Sequence, residues 1–300
     1  MRFGGHTAVC AFAFLLIAQA RAQTVEVAPF LDNKQAALSI TFDDGLLEHY
    51  IVAYPLLRDL GLHATFGLIG SRVGGVSNGK YKNIPCMTWV QAKEMAEHGQ
   101  EITNHGYAHK NLSLLNLDSM RSEVQRNDTL IYHLTGFFPR TFLYPGNRKS
   151  DAAVAFCSQD RTCTRTYQVS LGGDRTIEWF EDYVLGLLQN RAWGVTMTHG
   201  IAIGYDHFND TTAFYNIMHY AASMRHRLWV APLRDIGAYV TERDSIHLKV
   251  KFKKKRIIVH LQLSLDPSIF NQPLTLLVDG KPYTINPYSR KIIIKRENDL

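Results

Sequence analysis

Beyond residue 22 the 300-residue sequence contains no apolar run long enough to cross a bilayer, no internal repeat and no low-complexity segment. The first absence excludes a membrane-spanning helix, which needs about 20 consecutive apolar residues. The second excludes a solenoid or propeller built from copies of one unit. Cysteine is scarce: only Cys86, Cys157 and Cys163 follow residue 22. One bridge, between Cys157 and Cys163, is what an oxidising compartment would allow, with Cys86 a buried free thiol. Charge imbalance is missing from most of the chain as well. From Asp244 onward eleven Lys and Arg face five Asp and Glu, and before it 22 face 22, so the net charge of +6 belongs to the last 57 residues.

What is present begins with an address. Arg2, the apolar stretch Ala8–Ala18 and the small-residue site Ala20-Arg21-Ala22 have the form of a cleaved signal peptide. The expectation is an exported protein, periplasmic or secreted. The remaining 278 residues allow one domain of over 200 residues and a small one.

From Leu38 to about Arg243, apolar runs of strand length alternate with helix-like stretches. Leu38–Phe42 precedes a helical pattern over 49–60 that stops at Gly61. "HATFGLI" precedes a helix with Thr88 as N-cap and Gly99 as terminator, and "EITNH" precedes an amphipathic stretch from Asp118 to Leu134 closed by Gly136. "RTFLYPGN", "WGVTMTHG" and "LWVAPL" add strands. Repeated β-then-α units predict a parallel sheet or barrel. After Asp244 the pattern changes to short alternating strands, with Asp279-Gly280 as a two-residue hairpin turn. The expected division is a leader over 1–22, an α/β domain over 23–243 and a small basic β-rich domain over 244–300.

In a parallel α/β barrel, functional residues gather at the carboxyl ends of strands. Asp43-Asp44, His105 with His109, and His199 each end a candidate strand, and Tyr144-Pro145-Gly146 ends another. Histidines four residues apart can share one face of a helical turn, as a metal requires. Two His and one carboxylate make a catalytic zinc site that keeps a position open for water. Alone, "DDG" is also a plain turn after a strand, and "HGYAH" is a weak metal signal.

Taken together and in this order, "TFDDG" at 41–45, "NHGYAH" at 104–109 and "VTMTHG" at 195–200 resemble the first, second and fifth motifs of the NodB-homology polysaccharide deacetylases, carbohydrate esterase family 4. The resemblance spans roughly Leu38 to Arg243 and leaves out the basic β segment. It implies an irregular (β/α) barrel of about seven parallel strands. It also implies an enzyme that removes N- or O-linked acetyl groups from a polysaccharide or oligosaccharide. By position, Asp44, His105 and His109 would bind a divalent metal, usually Zn2+. Asp43 would be the catalytic base and His199 the general acid. Around the "YPG" of Tyr144, Pro145 and Gly146, the Gly146 N–H would help hold the oxyanion, and Met197 would line the acetyl pocket.

Two departures from the family pattern stand out. Many members carry an arginine at the start of the third motif that clamps the base, where this chain has Leu143. The fourth motif, an Asp and a Trp that tune the acid histidine, is not recognisable; Asp174, Glu178, Trp179, Asp182 and Asp206 are the candidates. Tyr205, His207 and Phe208 follow the acid strand and are candidates for a sugar subsite. A catalytically weak glycan-binding protein on the same fold is the competing reading. A glycoside hydrolase fits poorly, because its carboxylates flank a sugar from about 5 Å or more apart. No nucleic-acid partner is expected. The basic segment is read as a structural cap or as a weak contact to an anionic glycan or envelope surface.

Overall fold

The structure, a computed structural model, describes residues 23–78 and 83–296; the leader expected over 1–22 lies outside them. After a short strand β1 (Val25–Val27), eight strands form one parallel sheet: β2 (Ala36–Phe42), β3 (Thr65–Leu68), β4 (Glu101–Asn104), β5 (Thr141–Leu143), β6 (Cys163–Arg165), β7 (Val169–Ser170), β8 (Trp193–Thr198) and β9 (Leu228–Val230). Their order is β6-β5-β4-β3-β2-β8-β7, and β9 pairs with the first residues of β2. The edges β6 and β7 are joined by residues 166–168, a link that spans at most about 14 Å fully extended. So short a link between opposite edges requires the sheet to curl into an irregular barrel.

Period-two alternation divides each strand. Leu38, Ile40, Phe42, Phe66 and Leu68 are buried with the apolar faces of α1 (Tyr54–Asp59), α2 (Trp89–Glu97), α5 (Ile177–Asn190) and α6 (Thr211–Ser223). The other face, turned into the barrel, is polar and equally buried: Ser39, Thr41, Thr65, Glu101, Thr103 and Thr141. Glu101 ties three elements together, accepting hydrogen bonds from Thr141 (2.7 Å), Thr65 (2.8 Å) and the backbone N–H of Arg234 (3.1 Å). Because Thr65 and Glu101 begin their strands, α7 (Leu233–Ser245) starts at the amino end of the barrel. The carboxyl ends stay open.

The helices end where the sequence has stop and start signals. Thr88 and Gln91 form a reciprocal capping box on α2, and Gly136 ends α3 (Leu117–Thr135) at φ 85°, a left-handed conformation that glycine takes without a Cβ clash. Residues 147–192 were less legible, and β6, β7, α4 (Asp151–Cys157) and α5 lie there. The disulfide considered above does not form. Cys157 faces the apolar cluster under α4, whereas the Cys163 thiol lies 3.5 Å from the Leu233 carbonyl of α7, on the other side of the sheet.

The last segment makes β10 (His247–Lys253), β11 (Arg256–Gln262), β12 (Leu274–Val278), β13 (Lys281–Ile285) and β14 (Lys291–Lys295), arranged as two antiparallel sheets, β10-β11-β14 and β1-β12-β13. A shared apolar core that includes Ile257, Val259, Leu274 and Leu276 joins them. Strand β1 pairs with β12, so the chain's first described strand joins a sheet of the last segment. Tyr239 of α7 enters this core, and its hydroxyl donates to the Ala28 carbonyl (2.9 Å).

Glu242 of α7 is also buried here and accepts from the Gln272 N–H at 3.1 and 3.2 Å. Burial pushes its carboxyl up to about 7. A carboxyl raised on folding favours the protonated folded state. Its contribution is therefore complete below the ordinary glutamate range and is lost as pH rises through about 7. Thermal melts should show stability falling by roughly 1–3 kcal/mol between acid and mildly alkaline pH. In Glu242→Gln that fall should largely disappear; an unchanged pH profile would assign it elsewhere.

Candidate functional site

Strand β2 delivers Asp43 into the open end of the barrel, where it is 3% exposed. Asp44 follows at φ 76°, a left-handed conformation rare outside glycine, and Gly45 continues the turn at φ 68°. That turn lets consecutive carboxylates meet different partners. A side chain at Gly45 would lie 2.7 Å from Leu68, so the glycine is fixed by both space and backbone.

Asp43 is gripped by Arg165 through two parallel contacts, 2.7 Å to Oδ1 and 2.6 Å to Oδ2, and the same guanidinium donates to Thr41 at 2.6 Å. Arg165 lies on β6 directly beside Leu143 of β5 in the strand register. The clamp missing from the third motif therefore arrives from the neighbouring strand. Burial pushes the Asp43 carboxyl up, but Arg165, with His105 and His199 behind it, outweighs burial and holds it near 2. Asp43 is a carboxylate at any working pH.

Asp44 has no such cation. Its Oδ1 is buried without a hydrogen-bond partner, 3.5 Å from His105 Nε2 and 3.7 Å from His109 Nε2. His105 Nε2 is likewise unpartnered, while His105 Nδ1 lies 2.8 Å from the Leu143 carbonyl. Since a carbonyl can only accept, the proton sits on Nδ1, and Nε2 turns a lone pair toward Asp44. One donor atom from each of Asp44, His105 and His109 lies within 4.8 Å of the other two. Lone pairs from a carboxylate and two imidazoles, converging in a buried place with no hydrogen to share, fit a divalent cation.

The histidine pair is not helical. Residues 105–109 form a loop, with Gly106 at φ 78° and His109 at φ 58°. Glu123 of α3 holds it by accepting from the N–H of Ala108 (2.7 Å) and Lys110 (3.1 Å). Burial and the neighbouring His105 push His109 down to about 4, so it is neutral. On His105 burial is outweighed by the two aspartates, which raise its affinity for a proton. Proton and cation compete for that nitrogen.

His199 follows β8, with Nε2 3.9 Å from Asp43 Oδ2 and its ring edge-on to Tyr205 at 4.8 Å. Its Nδ1 is buried and unpartnered. None of the fourth-motif candidates fills that place. Asp206 bonds Ser170, Asp174 bonds Asn209, Trp179 stacks on Tyr183, and Glu178 and Asp182 are exposed on α5. The loop after His199 is instead gripped through its backbone. His49 Nε2 donates to the His199 carbonyl, and Glu48 accepts from the N–H groups of Ile201 and Ala202. Burial holds His49 at about 4, so it is a neutral donor.

A cleft of about 620 Å³ opens over these groups, lined by Asp43, Asp44, His109, Gly146, Met197 and His199. Arg72 and Tyr205 stand in its wall. Tyr144 is buried in the cluster with Phe142, its hydroxyl 3.1 Å from Thr164, and Pro145 is buried beside it, so neither lines the cleft. Phe208 is core and His207 bonds the Gly204 carbonyl.

Residues 31–160 match the family model for polysaccharide deacetylases. Over 115 residues the chain is 32% identical to YxkH of Bacillus subtilis (strain 168), a protein named as a candidate polysaccharide deacetylase, with 38% of each chain covered. Over 112 residues it is 31% identical to the peptidoglycan-N-acetylglucosamine deacetylase of Bacillus cereus, covering 37% of this chain and 36% of that one. The chain thus spans little more than a third of the length of these curated relatives. A crystal structure from Mycobacterium smegmatis, described as a candidate polysaccharide deacetylase, shares the fold with a TM-score of 0.57 at 15% identity, covering 73% of this chain and 94% of that one. Residues 31–160 of the chain thus carry a polysaccharide deacetylase domain of the NodB type.

Arg165→Leu leaves a buried carboxylate unpaired, and breaking such a pair costs roughly 3–5 kcal/mol. Because positions 143 and 165 are neighbours in register, the exchange Leu143→Arg with Arg165→Leu should recover a large part of that loss in denaturant melts. A double variant no more stable than Arg165→Leu alone would show that the guanidinium cannot serve from β5.

Proposed function

We propose that the chain is a metal-dependent hydrolase that removes acetyl groups from a glycan, with Asp44, His105 and His109 as the metal ligands, Zn2+ as the metal, Asp43 as base and His199 as acid. The observation that carries this reading is the division of labour between adjacent aspartates: one is neutralised by Arg165, and the other is left facing two imidazole nitrogens. A divalent cation held there supplies Lewis acidity and lowers the pKa of water. Asp43, kept ionised and 3.9 Å from His199, takes the proton of the attacking water. His199, protonated, gives a proton to the departing amine or alkoxide. The Gly146 N–H serves the developing oxyanion and Met197 the acetyl methyl, in keeping with their place in the cleft wall. Export through the leader over 1–22 belongs to the same proposal and suits a glycan outside the cytoplasm.

A second reading, a glycan-binding protein with little turnover, is favoured by one observation. His199 Nδ1 lacks the carboxylate partner that would orient the ring and stabilise its charge.

Elemental analysis separates ligand from base. The wild type and Asp43→Asn should each carry one equivalent of metal, whereas His105→Ala and His109→Ala should lose it. Asp43→Asn should lower acetate release by about 10²–10⁴-fold, the worth of a general base. Equal metal in all four proteins would contradict the ligand set, and near-normal turnover in Asp43→Asn would contradict the base. Metal-loaded wild type that binds acetylated oligosaccharides without releasing acetate would favour the second reading.

A further inference from the structure

The strongest charged feature outside the cleft is the outer face of the β10-β11-β14 sheet. Register fixes its composition. One row across the three strands is Lys253–Arg256–Lys295, another is Lys249–His260–Lys291, and between them lies Lys251–Ile258–Ile293. The alternate residues, Val250, Val259 and Ile292 among them, face the core shared with the second sheet. Six Lys or Arg, one His and two Ile therefore occupy nine neighbouring positions, without a carboxylate.

This face is costly as plain surface. Cross-strand neighbours lie about 4.5–5.5 Å apart, and like charges directly opposite destabilise a sheet. Elsewhere several exposed cations have local partners: Arg58 pairs with Asp59, Lys93 with Glu97 and Arg121 with Asp118. None of the six pairs with a carboxylate among the described residues. The described acidic residues of the same segment are engaged at turns, Asp244 by Arg243, Asp266 by Ser268 and Asp279 by the Thr24 N–H. The rest of the chain is balanced in charge, so nothing among the described residues calls for a cationic face.

We propose that this face is a binding site for an acidic polysaccharide, a strand carrying carboxylate groups, separate from the deacetylase cleft. Cations repeat about 6.6–6.8 Å apart along β10 (Lys249, Lys251, Lys253) and about 4.8 Å apart across the row Lys253–Arg256–Lys295, on a backbone held rigid by two ladders. An extended polyanion can match such a grid with successive charges. Single-stranded nucleic acid is bound through aromatic platforms, and the face has no Phe, Tyr or Trp. Membrane surfaces are held by apolar side chains that bury themselves in the lipid, and here two isoleucines lie level among lysines. The cleft points to the same chemistry. Arg72 stands in its wall with Nε buried and unpartnered and, among the described residues, forms no ion pair with a carboxylate. The choice of a glycan over other polyanions rests on the proposed function, but binding to the face does not depend on turnover.

The test is equilibrium binding of the metal-stripped full chain to polygalacturonate, with neutral dextran, phosphatidylglycerol vesicles and DNA as other arms. Stripping the metal keeps the result independent of the deacetylase reading. Between about 50 and 200 mM salt the wild type should lose affinity for polygalacturonate by on the order of a hundredfold, as release of counterions from several contacts requires. Lys253→Gln, Arg256→Gln and Lys295→Gln together should bind at least about tenfold more weakly at the lower salt, with a salt slope about half as steep. A variant with Arg58, Lys93 and Arg121 changed to Gln removes as many charges elsewhere and should bind like wild type. No binding at low salt, equal binding by the row variant, an equal loss in the control variant, or tighter binding to vesicles or DNA would each overturn the proposal.

Discussion

Two carboxylates joined by one peptide bond cannot both remain charged in a buried cleft unless each has its own positive partner. That constraint organises the open end of this barrel. Arg165 meets Asp43 with both of its terminal nitrogens and leaves Asp44 to the imidazoles. The left-handed backbone at Asp44 separates the two side chains, and the charge requirement keeps that strained turn in place. Were Arg165 absent, desolvation would push Asp43 toward its neutral form, and the two aspartates would compete for one cation.

The barrel serves this arrangement through its alternation. The same period-two rule that sends Leu38, Ile40 and Phe42 to the helices sends Ser39, Thr41 and Asp43 inward. Threonines bridge the strands below the site: Thr41 donates to the Thr196 carbonyl, Thr103 to the Thr141 carbonyl, and Thr65 and Thr141 to Glu101. A polar interior of this kind is stable only when each group finds a partner, and these bonds fix strand register where the carboxyl ends must align. Around the histidines, support comes from α3, whose Glu123 and Asn127 bind backbone groups of the loop.

Much of this was legible in the sequence. The helix ends at Gly61, Gly99 and Gly136 have signatures a few residues long, and the hairpin at Asp279-Gly280 is of the same kind. Asp43, Asp44, His105, His109 and His199 come together because short motifs at strand ends converge in a parallel barrel. Arg165 was not legible. Its role depends on the register between β5 and β6, and β6 is three residues long with a Cys, a Thr and an Arg, without an apolar run to reveal it. A three-residue strand whose inward side chains are Cys163 and Arg165 leaves almost no periodic signal. Glu48 and His49 were missed for a related reason: they sit in a helical stretch, and only the tertiary structure shows their contact with the loop after His199. The polar pattern of "HGYAH" suggested a helical turn, and two left-handed residues made a loop that converges the same nitrogens.

The reactivity proposed for the cleft depends on the cation that Asp44 lacks. The direct measurement is a titration of metal-stripped protein with Zn2+ while acetate release is followed on acetylated xylan, chitin oligomers and peptidoglycan. No release is expected before addition, and the rate on at least one of these glycans should rise linearly and level off at one equivalent. A rate that survives complete removal of metal, or one that keeps rising past one equivalent without a break, would contradict that dependence.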